Sequence, residues 1–166
     1  EDPIILDPRN KELGARIIIN IEKLYLSLKK LNLISSNVEE YYNLSHQKGI
    51  AQKDTDKLKN QLFGVECNFE ELNGIDFKKG CYVGQENTAR IKLKKKLTKR
   101  LFPIKVIDGT IQNETISYKD NEVGKILIKG KYPFALIKFK DVNLKNNIEL
   151  TCKGGIVKII KPEWIN

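Results

Sequence analysis

The run Lys79-Gly80-Cys81-Tyr82-Val83-Gly84-Gln85-Glu86, continued by Asn87-Thr88-Ala89-Arg90, holds the densest unusual chemistry in the chain. It sets a thiol and a phenol between two glycines. The pattern from Tyr82 to Lys92 predicts a helix, which places Cys81 at its N-terminus beside Lys78 and Lys79. A helix N-terminus and nearby ammonium groups lower a thiol pKa and raise its thiolate fraction. Gln85 and Glu86 offer acceptors to a polar ligand. Glu86 and Arg90 are spaced i, i+4, which also suits a plain surface pair. Gly80 and Gly84 let a backbone or a ligand come close. The same residues fit a packed domain junction with no chemistry at all. His46 is the single histidine, so no Cys–His pair is evident, and it reads as a surface or helix-end residue.

The other two thiols, Cys67 and Cys152, are distant from Cys81 and from each other, with no CxxC spacing. That argues against a zinc site or a disulfide framework, and dispersed thiols fit a reducing compartment. Cys67 and Cys152 read as small buried apolar residues. The net charge of +9 invites a nucleic-acid reading, but lysine supplies nearly all of it: of 30 basic residues only Arg9, Arg16, Arg90 and Arg100 are arginine. Dispersed lysine is what an AT-rich coding sequence yields, whereas phosphate recognition concentrates cations and favours arginine forks. One stretch is concentrated, with six cations between Lys92 and Arg100. It suits an anionic partner or a solvated connection, and no stacking aromatics accompany it. Where lysine is the default, Arg9 and Arg16 suggest that fork geometry matters. Arg9, after Asp7-Pro8, is expected to pin a turn or reach a neighbouring domain, with a ligand contact as the alternative.

The elements that must position these residues follow from periodicity. Ile4-Ile5-Leu6 is a short β-type run stopped by Asp7-Pro8-Arg9-Asn10, and Leu13 to Ile19 is a second. Asn20 caps a helix over 21–32 with Leu24, Leu28 and Leu31 on one face. Ser35-Ser36-Asn37 opens another helix, which runs to about Lys48 and stops at Gly49. Residues 50–80 look irregular, with one helical turn at 68–72. Beyond Leu97 come six β-type runs at 101–106, 115–118, 123–128, 134–139, 148–152 and 156–160, separated by turn signals, which predict a small antiparallel barrel or sandwich. Trp164 is expected to anchor the tail on it. No apolar run approaches the length of a membrane span.

The eight-residue run from Lys79 to Glu86 closely resembles the signature of the YgfZ/Iba57 family, a folate-binding branch of the aminomethyltransferase (glycine cleavage T-protein) superfamily. Leu6-Asp7-Pro8-Arg9 with Leu13-Gly14-Ala15-Arg16, the helix before Gly49-Ile50, the run Glu70 to Lys78 and Thr98-Lys99-Arg100-Leu101 agree with it. The resemblance covers the chain but only the later part of the family, so a missing N-terminal part of the same protein is expected. It implies an α+β fold, a partial three-domain aminomethyltransferase-like ring ending in a small antiparallel β-barrel. Residues 1–34 would belong to a ferredoxin-like middle domain, 35–98 would return to the first folate-binding domain, and 99–166 would form the barrel.

The resemblance further implies a tetrahydrofolate-binding accessory factor for iron–sulfur protein assembly or repair. Carried over residue by residue, Cys81 is the functional thiol. Lys79, Gly80, Tyr82, Gly84, Gln85, Glu86 and Arg90 are the cofactor-binding candidates, with tetrahydrofolate or a one-carbon derivative as cofactor. Iron–sulfur client or assembly proteins are the expected partners. Lys92–Arg100 would attract an anionic folate tail. The expected compartment is the cytoplasm of a bacterium or the matrix of a mitochondrion. A folate-dependent aminomethyl- or methyltransferase is the alternative, with a nucleic-acid-binding module behind it.

Overall fold

The computed structural model describes residues 3–80, 83–93, 97–138, 142 and 148–165. It is α+β, and the described residues include three α-helices and a closed six-stranded antiparallel barrel.

The N-terminal strands β1 (Ile4–Leu6) and β2 (Ala15–Ile17) pair antiparallel, Ile4 opposite Ile17 and Leu6 opposite Ala15. A short 3-10 helix, Lys11–Leu13, lies between them and takes Leu13, the first residue expected of the second strand, which is observed only over Ala15–Ile17. Helix α1 (Ile21–Lys30) starts where the Asn20 side chain accepts from the Glu22 amide at 2.8 Å. It buries no residue, and neither strand of the hairpin does. Helix α2 (Val38–Gln47) is capped by Asn37, whose side chain accepts from Glu40 N, and carries Glu39 and Glu40 in its first turn. Both arrangements satisfy orphan amides and complement the helix dipole. Gly49 ends α2 as expected, at φ +78°. A Cβ there would come within 2.4 Å of the Pro162 ring, so glycine also allows the tail to pack on the helix end.

Residues 50–80 follow as turns with one short 3-10 helix, Thr55–Leu58. Asn60, Asn68 and Asn73 all adopt positive φ, a region asparagine tolerates. Leu72 N donates to Asn68 O at 3.0 Å, which closes the expected helical turn. Helix α3 (Glu86–Leu93) begins four residues later than the pattern from Tyr82 predicts. Gly84, at φ +90°, takes the backbone off the helical path just before it.

The barrel runs β3 (Lys99–Gly109), β4 (Thr115–Tyr118), β5 (Asn121–Ile128), β6 (Phe134–Lys138), β7 (Glu149–Cys152) and β8 (Gly155–Ile159), joined in the order β3-β6-β5-β4-β7-β8. The six expected runs correspond to these strands. β3 is longer than expected because it serves two neighbours. Its first half pairs with β6 from Lys99–Lys138 to Pro103–Phe134, and its second half with β8 from Ile104–Ile159 onward. Pro103 sits at that handover, where a strand tolerates the loss of one donor. Alternate residues point inward. Phe102, Ile116, Val123, Ile126, Ile137, Leu150 and Val157 fill the interior and are fully buried. A satellite cluster of Leu58, Leu101, Ile128 and Phe134 joins the barrel to the segment before it.

Candidate functional site around the signature helix

Cys81 and Tyr82 lie outside the described residues. Around them, Lys79, Gly80, Val83 and Gly84 are exposed, Gln85 is half-buried and Glu86 and Arg90 stand exposed on α3. The first described helical residue of α3 is Glu86, five positions beyond Cys81. Gly80 and Gly84 do not mark a tight contact, since a Cβ on either would meet open space. Among the described residues Glu86 and Arg90 form no ion pair; the i, i+4 spacing is there, but both side chains are solvated. Of the predicted binders, the structure brings Glu86 and Arg90 onto one helix, with Gln85 immediately before it accepting from Ala89 N at 2.9 Å.

Sequence reasoning missed what α3 faces. A cavity of about 600 Å³ is lined by Val65, Glu70, Glu71, Ile91, Lys92, Leu97 and Arg100. Arg100 Nη2 meets Glu71 Oε1 at 2.6 Å, and both side chains are more than four-fifths buried. Glu71 Oε2 and Arg100 Nε are buried with no partner. Burying an ion pair is costly unless its remaining valences are met. Two unmet polar atoms beside a cavity therefore distinguish this pair from a plain structural bridge.

Lys92 Nζ bonds Glu70 and lies 5.3 Å from the centre of the Phe77 ring, a cation–π distance. Lys99 Nζ is 3.5 Å from Glu66. Lys92, Lys99 and Arg100, the described cations of the basic stretch, are thus each matched to a carboxylate of segment 66–71. That pairing leaves these three less available to an external polyanion than the sequence alone implies. Lys94, Lys95 and Lys96 lie outside the described residues.

A second polar cluster joins the N-terminal hairpin to α2. Asp7 is 2% exposed. Arg9 grips it with Nε at 2.9 Å and Nη2 at 2.7 Å, and Arg16 adds Nε at 2.9 Å. The Arg9 bonds hold the Asp7 carboxyl well below the usual carboxylate range, against the opposing effect of burial. Arg9 Nη2 also reaches the Tyr41 hydroxyl at 2.9 Å. The Gln52 amide takes the orientation in which its oxygen faces the guanidinium, 3.1 Å from both Nη atoms, because arginine only donates. Arg9 therefore pins its own turn and reaches across to α2. This is a self-satisfied network, and its fork geometry explains why these positions hold arginine.

His46 departs from the surface reading. It does sit near the end of α2, but it is buried, with its ring edge-on to Phe134 at 5.1 Å between centroids. Its Nε2 accepts from the amides of Gln52 and Lys53, each at 3.1 Å. A nitrogen accepting two N–H groups carries no proton, so the ring is neutral, and burial lowers its pKa below the ordinary value. Cys67 and Cys152 are free thiols packed against the core clusters as expected, but half-buried rather than buried. Burial pushes the Cys67 thiol up to about 11. Trp164 packs on the barrel, and its indole N–H also donates to Lys48 O at 2.8 Å, tying the tail to the end of α2. Among the described residues no group of three or more His, Cys, Asp or Glu side chains could hold a metal ion. No helix among them is long and apolar enough to cross a membrane.

No protein-family model matches the chain. It is similar to proteins described as the mitochondrial iron–sulfur cluster assembly factor IBA57 or its homologues. With that of Mus musculus it is 33% identical over 172 residues, covering 97% of this chain and 47% of the relative. With that of Dictyostelium discoideum it is 35% identical over 102 residues, covering 61% of the chain and 25% of the relative. With the Homo sapiens protein it is 30% identical over 106 residues, covering 63% of the chain and 29% of the relative. The chain thus spans from a quarter to about half the length of these relatives.

Proposed function

Because the chain belongs to the YgfZ/Iba57 family and matches its C-terminal portion, we propose that it is part of an iron–sulfur cluster assembly factor that works in the mitochondrion. The observation that carries this reading is the agreement of these relatives on one printed role, each matched at 30% identity or more. The frame it implies is the three-domain aminomethyltransferase-like ring, with the described barrel as its last part.

In this reading Cys81 is the working thiol. An iron–sulfur cluster, here the cargo, usually needs four protein ligands. A single cysteine can hold iron or sulfur only transiently, or share a cluster with a partner. The exposed Val83-Gly84 turn and the solvated face of α3 leave room for such a partner beside the signature.

The proposal includes a tetrahydrofolate-class cofactor, and the residues present suit it. Glu71 and Arg100 line the cavity next to α3 and hold a buried acceptor and a buried donor without partners. An amino-pyrimidinone edge takes that combination. Such a cofactor would supply one-carbon chemistry. The part played by Glu71 and Arg100 would be to bind and orient it, while Ile91, Val65 and Leu97 exclude water.

Cys81→Ala in the full-length protein is expected to fail to restore iron–sulfur enzyme activity to cells depleted of the factor, while its level stays normal. Restoration equal to the unmodified protein would refute the role of the thiol. Glu71→Gln is expected to weaken tetrahydrofolate binding about tenfold. Unchanged binding would remove the Glu71–Arg100 pair from the cofactor site.

A further inference from the structure

The exposed apolar surface is concentrated at one end of the chain. Of the twenty large hydrophobic side chains exposed among the described residues, twelve fall within residues 4–38, each at least 45% exposed. At ~150 Å² for a fully exposed large side chain, they present on the order of 1,000 Å² of apolar surface. The largest apolar patch of a monomer is about 300–600 Å², and a stable interface takes about 800 Å² from each partner. This region has enough apolar surface for one.

Helix α1 gives that surface its order. Ile21, Leu24, Tyr25 and Leu28, with Leu31 just after the helix, recur at helical spacing and form one stripe. Ile21 and Tyr25 are 79% and 69% exposed, and no residue of the helix is buried. Glu22 and Lys29 border the stripe on one side. They lie three residues before and four after Tyr25, so both neighbour it on the helix surface. Both are exposed, and neither forms an ion pair among the described residues. The other border, between Leu24 and Leu31, carries the neutral Ser27.

When two copies of a helix pack antiparallel about a two-fold axis, the same border of each meets the other with its ends reversed. A second α1 on this stripe therefore sets Glu22 against Lys29 of the second copy, and Lys29 against its Glu22. A parallel pair would set that border against Ser27 and leave the charges unmatched. We propose that the α1 stripe is a self-association surface, on which a second copy of this chain packs antiparallel to form a two-fold dimer. The stripe supplies affinity, and the two Glu22–Lys29 pairs fix the direction of approach. Leu26, on the far side of α1, takes no part. The site does not depend on the function proposed above.

Analytical ultracentrifugation of the 166-residue chain at micromolar concentrations tests it. A single two-chain species is expected. Tyr25→Lys should leave the chain monomeric. Lys29→Glu sets like charges together at both ends and should weaken the dimer about tenfold, as should Glu22→Lys. Combining the two reverses each pair and should restore the unmodified affinity, which damage to folding could not do. Leu26→Ser should leave the dimer unchanged. The proposal is overturned by a monomer at every concentration, which would leave this face to a different protein, or by assembly that continues past two copies. It is equally overturned if the single charge variants dimerise as the unmodified chain does, if the charge swap fails to restore them, or if Leu26→Ser weakens the dimer.

Discussion

The barrel and the N-terminal hairpin are both antiparallel β structure built from branched apolar residues, yet they treat those residues in opposite ways. In the barrel, Phe102, Ile116, Ile126 and Ile137 are fully buried. In the hairpin, Ile4, Ile5, Leu6 and Ile17 are all exposed, and Tyr25 and Leu26 on α1 and Leu31 just after it join them. The difference is closure. A closed sheet is its own partner, because each inward face meets the face across the barrel. A two-stranded ribbon has nothing opposite it and is marginal alone. The hairpin is therefore held by polar chemistry, with Asp7 clasped between Arg9 and Arg16 and linked to Tyr41 of α2. One region is fixed by apolar burial and the other by a shared carboxylate.

The contrast breaks most visibly at Phe102. Phe102→Ala should lower global stability by about 3–5 kcal/mol in urea unfolding, and a loss below ~1 kcal/mol would mean that the barrel core is not the main support. Asp7→Asn should cost less, about 2 kcal/mol, since it weakens a buried pairing whose Arg16 partner is half solvated. Its effect should also be local, with faster hydrogen exchange at the Asp7 amide, bonded to Gly14 O, while barrel amides stay protected.

His46 sharpens the comparison through pH. Its native pKa lies below the unfolded value near ~6.5, so stability is complete above that point. As pH falls through it the unfolded chain takes up the proton first, and stability declines toward the lowered native value by at most about 1.4 kcal/mol per pH unit. His46→Gln should flatten the curve between roughly pH 6.5 and 5, where carboxylates contribute little. The smallest effect is expected on α1. Leu26→Ser should change stability by less than ~0.5 kcal/mol. A loss above ~1 kcal/mol would show that this face is covered and that the two regions are alike.

The barrel strands were legible in the sequence because their signal is local: alternation of apolar residues, bounded by Asp108-Gly109, Lys129-Gly130 and Gly154-Gly155. The helices at Asn20 and Asn37 were legible for the same reason, through their caps. Segment 50–80 was not, because distant partners hold it. Asn73 Nδ2 bonds Pro8 O at 2.7 Å, and Leu101 N bonds Glu66 O at 2.8 Å. The one local clue was the recurrence of asparagine at 60, 68 and 73, each at positive φ. The charges of the basic stretch were read as facing outward because their counter-charges, Glu66, Glu70 and Glu71, lie more than twenty residues earlier. At the signature, the glycines suggested only that a backbone or a ligand could come close. They did not announce that α3 would start only at Glu86.

The bond from Trp164 to Lys48 joins positions 116 residues apart. Closing a loop of that span costs entropy that grows with the logarithm of its length, and barrel pairing must shorten the loop before the indole can reach α2. The contact is therefore expected to form late in folding. Trp164→Phe, which keeps the ring packing and removes the N–H, should speed unfolding while leaving the folding rate nearly unchanged in a chevron measurement.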